Sequence, residues 1–240
     1  YWKDPADNDK DNLHWRLKYN QENRGDVYAT HGLGPVAQCM DIHRGDRFTT
    51  LVAMDTESFF GKDFVEKKTG KECKDFRNGD HTTTLMRTAK GKVVEIQHNV
   101  MTPQPYNRLF KLTGTKGYAT KYPTPEYALS GDALKGTDAP QMDNLNAHGF
   151  MNAAQKQALK KKYYHPILTK YGEKGRDMGH GGMDYIMDAR LVYCLQNGLP
   201  LDMDVYDMAE WCALAELGTL SMDNNCAAVT FPDFTRGHWN

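Results

Sequence analysis

The amino-acid sequence predicts an α+β domain in which helices cover mainly one face of an open, largely antiparallel β-sheet. Three observations lead to this prediction. One helical segment comes early, near residues 31–43. Residues 80–128 then show the alternating patterns of strands separated by short turns. From residue 150 onward, apolar residues recur at helical spacing. A helix, then several strands, then helices is the order expected of an α+β fold.

The elements before residue 70 are predicted to be two helices and one strand. The first helix runs from about residue 31 to 43 and is ended by Gly45. Its apolar face comprises Leu33, Val36, Ala37 and Met40. A strand is expected over 47–56, and a short helix near 57–68.

The middle of the chain carries the clearest strand signal. Strands are predicted over 80–88, 92–101, 106–114, 118–122 and 126–128. Val94, Ile96, His98 and Val100 alternate with Val93, Glu95, Gln97 and Asn99. This alternation is typical of antiparallel strands with one face covered and the other partly in water.

Three helical features are predicted after residue 150. A helix over 152–163 ends in three lysines, and a second over 183–197 is ended by Gly198. Asp204 opens the last helix, with Asp207 at the position that completes a capping box. The tail from residue 230 is expected to be a loop.

The first 26 residues are polar and rich in turn formers, with neither a helix nor a strand period. We therefore expect residues 1–26 to be a loop or linker that leads from a preceding domain, and 27–240 to form a single α+β domain. This interpretation makes the chain the carboxy-terminal part of a longer protein.

Composition excludes several function classes. A formal net charge of −1 argues against a nucleic-acid partner, and no apolar run approaches the ~18 residues of a membrane span. The five cysteines are scattered without a C-x-x-C pair, so neither a disulfide framework nor a zinc finger is predicted. The histidines do not fall into a metal-binding motif, and no metal site is expected. A dinucleotide fingerprint is also missing from these residues.

The segment Tyr28-Ala29-Thr30-His31 brings a phenol, a hydroxyl and an imidazole together at a predicted helix start. An imidazole placed there can serve as a base. The alternative is that Thr30 caps the helix and His31 is only a polar residue of its first turn. Gly32 and Gly34 are poor helix formers, which indicates a constraint other than helix stability.

Two further segments have both a functional and a structural interpretation. Thr102 to Arg108 contains two prolines, and either bends a sheet edge or places Tyr106 and Arg108 at the rim of a pocket. Gly179 to Asp184 is either a tight turn before a helix or a loop that brings His180 to a pocket.

Taken together, these motifs resemble those of glycoside hydrolase family 109. The residues that carry the resemblance occur in order along nearly the whole chain: Y-A-T-H-G-L-G-P-V-A-Q, H-R-G-D-R-F, P-Q-P-Y-N-R, G-T-K-G, G-H-G-G-M-D-Y, D-V-Y-D-M-A and D-F-T-R-G. The family comprises NAD-dependent α-N-acetylgalactosaminidases within the Gfo/Idh/MocA oxidoreductase superfamily. Each motif is short, but the ordered series is specific.

The resemblance implies an amino-terminal Rossmann domain that holds NAD, followed by an α+β domain like this one. It implies a carbohydrate substrate, which NAD oxidises to a ketone before a base triggers elimination, water addition and reduction. The isolated chain is then expected to be inactive, and the sheet to mediate homo-oligomer formation. By the motif match, His31 and Tyr28 are the catalytic candidates. The substrate-binding candidates are Arg16, Tyr28, Thr30, Tyr106, Tyr122 and His180.

Two alternatives stay open from the sequence. The whole protein could be a sugar dehydrogenase of the same superfamily, which would accumulate NADH on free sugar. The chain could also be a non-catalytic oligomerisation or carbohydrate-binding module. Family members are commonly bacterial, and the sequence leaves both a periplasmic and a cytoplasmic location possible.

Overall fold

The structure is a computed structural model that describes residues 15–129, 131–138 and 149–240. The described residues fall into two compact units. Unit 1 runs up to residue 104 and resumes at 203, and unit 2 comprises residues 105–202. The sequence predicts one domain over 27–240, whereas the structure divides these residues between two units, each of which is described by itself.

The helices and strands are labelled in chain order. The α-helices are α1 (Trp15–Glu22), α2 (Thr30–Cys39), α3 (Phe60–Thr69), α4 (Ala153–Tyr163), α5 (Pro166–Gly175), α6 (Met183–Asn197) and α7 (Val205–Asp223). The strands are β1 (Phe48–Asp55), β2 (Thr82–Thr88), β3 (Val93–His98), β4 (Lys111–Gly114), β5 (Gly117–Thr120), β6 (Glu126–Leu129) and β7 (Val229–Thr230). No described helix combines the length and apolar character that crossing a membrane requires.

Unit 1 is built on a four-stranded antiparallel sheet in the order β3-β2-β1-β7. Thr84 at the centre of β2 pairs with Ala53 on β1 and with Ile96 on β3. Residues of alternating position on these strands are buried, and α2 and α7 pack against them. The prediction of an antiparallel sheet with helices on one face is therefore confirmed.

The core of unit 1 lies between the sheet and these two helices. Its largest buried side chains are Leu33, Ile42, Phe48, Leu51, Met86, Trp211, Leu214 and Phe231. Burying each large apolar side chain contributes about 1.5–3 kcal/mol. A second, smaller cluster joins α1 to α3 and the segments that follow α3 and β3, through Leu17, Val65, Phe76 and Met101.

Unit 2 contains a three-stranded antiparallel meander in the order β4-β5-β6. Next to it, Leu134, Met151 and Leu159 form a small buried cluster. Helices α5 and α6 pack on each other, with the Tyr171 and Tyr185 rings edge to face at 6.2 Å.

Several predicted boundaries are confirmed. Helix α6 spans the predicted residues, with Gly198 in the left-handed conformation at its end. Asp204 caps α7 and forms the predicted capping box with Asp207. Asn152, placed at the helix start by the sequence, is the cap of α4.

Other predictions were wrong. Residues 15–22 form helix α1 inside the segment predicted to be loop, because Leu17 and Asn20 become buried against residues distant in sequence. Helix α2 ends at Cys39 rather than near residue 43, since the backbone turns left-handed at Asp41. Helix α5 was not predicted.

Candidate functional site

The turn between α1 and α2 carries Tyr28 and leads directly to His31. Its backbone is fixed by several polar contacts within unit 1. The Arg24 guanidinium donates to both carboxylate oxygens of Asp55, at 2.8 and 2.9 Å, and a third nitrogen reaches Asp223 at 2.9 Å. Two-pronged charged contacts of this kind hold geometry well. The turn is therefore anchored to β1 and to the end of α7.

The next residue of the turn, Gly25, is fixed from a different direction. Its N–H donates to the side-chain oxygen of the fully buried Asn78 at 2.9 Å. The φ angle of Gly25 is +92°, a conformation that a side chain strongly disfavours. The Asn78 amide also donates to Asn20 on α1 at 2.7 Å. Through Asn78, α1 and the turn are held in one arrangement.

Tyr28 and His31 form an exposed stacked pair at the start of α2. Their ring centroids are 4.3 Å apart with an angle of 20° between the planes. The Tyr28 hydroxyl lies 3.4 Å from the His31 Nε2. Contacts between catalytic groups are often this long before a substrate binds. The arrangement can pass a proton between a phenol and an imidazole at the protein surface.

The glycines that follow His31 allow α2 to pack closely on its neighbours. A Cβ atom at Gly34 would lie 3.2 Å from ring carbons of Trp211, and one at Gly32 would lie 3.3 Å from Ile96. These distances are tighter than ordinary contacts, so both positions favour glycine. The constraint predicted at these glycines is thus close packing, which fixes the helix that bears His31.

Thr30 is the first residue of α2, but it is not the cap. The capping position is Ala29, which has no side-chain hydrogen bond. The interpretation of Thr30 as a helix cap was therefore wrong. Thr30 therefore has no capping role.

Arg16 lies on α1, in the same unit as Tyr28 and His31. Its guanidinium stands over the Trp15 ring at 4.8 Å. The next residue, Leu17, is buried in the cluster that anchors α1 to α3. A guanidinium carries its N–H donors in one plane, a geometry that matches the oxygen atoms of a ligand.

Sequence reasoning missed two buried residues that adjoin this site. Asp26 accepts a hydrogen bond from the Tyr28 N–H at 3.0 Å, and His98 lies opposite Asp26 at the end of β3. The sequence contains a signal for each of these two residues. An Asp two residues before Tyr28 suits a side-chain-to-backbone turn, and His98 falls on the same face of its strand as Val94 and Ile96, which is the covered one.

The candidates of unit 2 form a second aromatic group. The Tyr106 and Tyr122 rings lie edge to face at 6.2 Å. Arg108 donates to the Tyr106 hydroxyl, and the Lys121 ammonium is 5.8 Å from the Tyr122 ring. Tyr106 lies in the loop before β4 rather than in a strand as predicted, and it is largely exposed. Aromatic rings flanked by cations suit the faces and hydroxyls of a sugar.

His180 opens a short 3₁₀ turn before α6. Its Nδ1 lies 3.0 and 3.1 Å from the two carboxylate oxygens of Asp184, and both side chains are exposed. The contact is consistent with the alternative of a tight turn before the helix, and it leaves the imidazole accessible.

The described residues fit neither a metal ion nor a dinucleotide. Over 15–129, 131–138 and 149–240, no three His, Cys, Asp or Glu side chains are grouped to hold a metal. NAD needs a glycine-rich turn from a strand into a helix, to hold its pyrophosphate. In unit 1 only β1 leads into a helix, and its connection over residues 56–59 contains no glycine. The described part of this chain does not fit that role.

Comparison with known proteins gives one consistent family. A family model described as the C-terminal domain of glycosyl hydrolase 109 matches residues 4–240. Glycosyl hydrolase family 109 protein 3 of Phocaeicola vulgatus is 87% identical over 240 residues, and protein 5 of that organism is 70% identical over 242. The chain is covered completely in both alignments but spans only 44% and 46% of these relatives.

Solved structures share the fold at low sequence identity. An oxidoreductase domain protein from Kribbella flavida is 13% identical, with a TM-score of 0.60 over 92% of this chain and 55% of that one. Levoglucosan dehydrogenase, in a complex with NADH and L-sorbose, is 13% identical, with a TM-score of 0.52 over 87% of this chain and 50% of its own. These likenesses, to an oxidoreductase domain protein and to a dehydrogenase, show a shared fold.

Proposed function

This chain belongs to glycosyl hydrolase family 109 as its carboxy-terminal domain, and on that premise we propose that it is the substrate-binding half of an NAD-dependent glycosidase. The proposed substrates are α-N-acetylgalactosaminides or related glycosides. One observation carries the proposal: the exposed, stacked Tyr28–His31 pair on a turn that is anchored from three sides.

The proposed role of the pair is proton transfer at a sugar carbon. NAD, bound by the rest of a protein of the relatives' length, would supply oxidation of the sugar to a ketone and its later reduction. A proton on the carbon next to a carbonyl can be removed by an imidazole. We assign that removal to His31, with the Tyr28 hydroxyl as the group that receives or returns the proton. Most glycosidases use two carboxyl groups instead.

The remaining candidates are proposed to bind the sugar. Arg16 would donate to the hydroxyl or N-acetyl oxygens through its planar fork, and the Thr30 hydroxyl would bond a further sugar oxygen. In unit 2, taken by itself, Tyr106 and Tyr122 would pack on a sugar face, and His180 would reach a sugar hydroxyl. Each assignment is tested by the change in KM of the corresponding alanine variant.

A homo-oligomer is also proposed, through the uncovered face of the unit 1 sheet. Met54, Leu85 and Val93 are large, apolar and exposed on β1, β2 and β3. Covering such residues in a second copy would bury apolar area. Sedimentation of the full-length protein, with Leu85→Lys as the disrupting variant, tests this assignment.

The second candidate function is a sugar dehydrogenase. Its support is the fold shared with the oxidoreductase from Kribbella flavida and with levoglucosan dehydrogenase. A dehydrogenase would use the same base to take a hydroxyl proton and would release NADH. A third reading, a non-catalytic module, is favoured by the poor fit of the described residues to a dinucleotide.

One experiment separates these functions. A protein of the relatives' full length is incubated with an aryl α-N-acetylgalactosaminide while aryl release and NADH absorbance are followed, and a parallel sample contains free sugar. We expect aryl release without net NADH. NADH accumulating on free sugar, without aryl release, would make the protein a dehydrogenase. If neither aryl release nor NADH is detected on a panel of hexosides and N-acetylhexosaminides, the remaining function is that of a non-catalytic binding module.

A further inference from the structure

Asp26 is a buried carboxylate on the turn that presents Tyr28. Its side chain is 5% exposed, and its Oδ1 accepts the N–H of Tyr28 at 3.0 Å. A side-chain acceptor two residues before the donor closes a local turn and restricts the backbone between them. The direction in which the Tyr28 ring leaves the backbone, and its stacking on His31, therefore depend on Asp26.

His98, the last residue of β3, lies opposite the same oxygen atom. Its side chain is 10% exposed, and its Nε2 is 3.9 Å from the Asp26 Oδ1. This Nε2 is buried and has no hydrogen-bond partner in the described part of the chain. A proton on Nε2 would consequently lie near the Asp26 carboxylate, 3.9 Å away.

Strand β3 thus touches the catalytic segment at two successive inward positions. Ile96 lies under Gly32, where a Cβ would be only 3.3 Å away, and His98 reaches Asp26 two residues further on. The end of the strand therefore contacts α2 just after His31 and the turn just before Tyr28. A change at His98 can reach both catalytic candidates without touching either.

Stability alone gives little reason to keep this pair. Burial raises the pKa of Asp26 and lowers the pKa of His98, and their mutual attraction opposes both changes only in part. Replacing a buried charged pair by apolar residues of similar volume is often neutral or stabilising. Perturbed, buried titratable groups next to a reactive pair are typical of functional sites.

We propose that Asp26 and His98 are positioning residues for the Tyr28–His31 pair: Asp26 fixes the Tyr28 backbone through its hydrogen bond, and His98 holds Asp26 in place from β3. Neither side chain is exposed enough to touch a sugar, so the two act through Tyr28. The kinetic part of this assignment rests on the proposed glycosidase function, while its structural part does not.

The test uses four substitutions in the full-length protein. Asp26→Asn keeps an acceptor for the Tyr28 N–H but removes the charge, and Asp26→Ala removes both. His98→Gln keeps a side-chain donor near Asp26, and His98→Leu removes it. Asp46→Asn is the matched control, because Asp46 is also buried, also accepts backbone N–H bonds, and pairs with Lys92 at 3.2 Å.

We expect kcat for aryl release to fall about 10- to 100-fold in Asp26→Ala and His98→Leu, as for a misplaced catalytic group. KM should change less than threefold. Asp26→Asn and His98→Gln should recover most of kcat. Asp46→Asn should leave kcat per folded molecule unchanged, although it destabilises the protein.

A second measurement does not depend on turnover. In protein labelled with ¹⁵N histidine, the His31 imidazole signals should shift in Asp26→Ala and His98→Leu and stay in place in Asp46→Asn. Unmoved His31 signals, or equal shifts in the control, would overturn the proposal. Wild-type protein without glycosidase activity would defeat the proposed function, and the imidazole signals would still decide the positioning role.

Discussion

Two buried pairs of an imidazole and a carboxylate flank helix α2, and they differ in almost every physical respect. The first pair joins Asp26, four residues before the helix, to His98 of β3, with 3.9 Å between Oδ1 and Nε2. The second joins His43, four residues after the helix, to Glu210 of α7, with side chains 3% and 1% exposed and with Nε2 and Oε2 in direct contact. The imidazole and the carboxylate are thus separated at one end of α2 and in direct contact at the other.

The surroundings explain the opposite behaviour of the two histidines. Burial lowers the pKa of His43, but the hydrogen bond and charge of Glu210, with Asp207 and Asp204 beyond it, overcome that effect and leave the pKa raised. Burial also lowers the pKa of His98, where Asp26 opposes it and His81 adds to it, and there the pKa stays lowered. Burial outweighs the single facing carboxylate at His98, whereas three carboxylates together outweigh burial at His43.

Under the proposed function, the end of α2 near Asp26 is a functional end, and the end near His43 is a structural end. At the second end, Arg44 makes two hydrogen bonds with the Asp207 carboxylate, at 2.8 and 2.7 Å, and Glu210 accepts from the Phe48 N–H at 3.4 Å. This network ties the loop after α2 to α7 and β1. Changes there should affect folding, whereas changes at the first end should affect turnover.

The largest expected effect comes from His31→Ala in the full-length protein. Loss of a general base should lower kcat by about 10²- to 10⁴-fold, while the free energy of unfolding should hardly change because His31 is exposed. His43→Ala is the matched histidine variant from the structural end. It should lower stability and leave kcat per folded molecule intact. Wild-type turnover in His31→Ala would remove His31 from the site and break the comparison.

The second effect is on folding, at the opposite end of the helix. Glu210→Ala should lower the free energy of unfolding by about 3 kcal/mol, since it removes one partner of a buried pair together with its bond to Phe48. Urea unfolding measures this change. The control is Glu95→Ala on the exposed face of β3, for which a change within about 0.5 kcal/mol is expected. Equal losses of unfolding free energy in the two variants would show that the buried network does not stabilise the fold more than an exposed residue does.

The third effect is an opposite pH dependence of the two histidines. The pKa of His43 is raised in the folded chain, so its protonation stabilises the fold. This stabilisation is complete below about pH 6.5, the pKa of histidine in the unfolded chain, and it is lost as pH rises through the pKa of the folded chain. His98, with a lowered pKa, resists protonation in the folded state. Stability is therefore lost as pH falls from about 6.5 through its folded value.

Two variants isolate these slopes. His43→Asn, which tolerates the left-handed φ of +62° at this position, should flatten the loss of stability above pH 6.5. His98→Gln should flatten the loss of stability below pH 6.5. The measurement is urea unfolding at half-unit steps from pH 5 to 8. Slopes that change on the same side of pH 6.5 in both variants would contradict the assigned pKa directions.

Local sequence patterns predicted much of this fold and little of what holds the site. The capping box of Asp204 and Asp207, the glycine after α6 and the alternation along β2 and β3 depend on neighbours in sequence, and these features are confirmed. The Tyr28–His31 pair, three residues apart on one helix start, was also within reach. Helix α1 was not, because its burial depends on Val65, Phe76 and Met101, far along the chain.

The buried pairs show the same limit more sharply. Asp26 and His98 are 72 residues apart, and His43 and Glu210 are 167 residues apart, so no window of sequence contains either contact. The sequence does place His98 on the covered face of β3. It cannot show that His98 contacts Asp26 there, and this contact is what identifies His98 as a positioning residue rather than only a core histidine.

The smallest expected effect comes from a third imidazole–carboxylate pair, His180 and Asp184 in unit 2. The contact is as short as 3.0 Å, shorter than that of Asp26 and His98, but the side chains are 75% and 51% exposed. Exposed ion pairs contribute about 0–1 kcal/mol, because water screens the charges and competes for the hydrogen bonds. His180→Asn should therefore change the free energy of unfolding by less than about 0.5 kcal/mol. A loss near that of Glu210→Ala would mean that distance, rather than burial, controls the strength of these pairs.

The same variant tests the proposed sugar contact. KM for the aryl glycoside should rise if His180 reaches a hydroxyl, and an unchanged KM would remove His180 from the substrate-binding candidates.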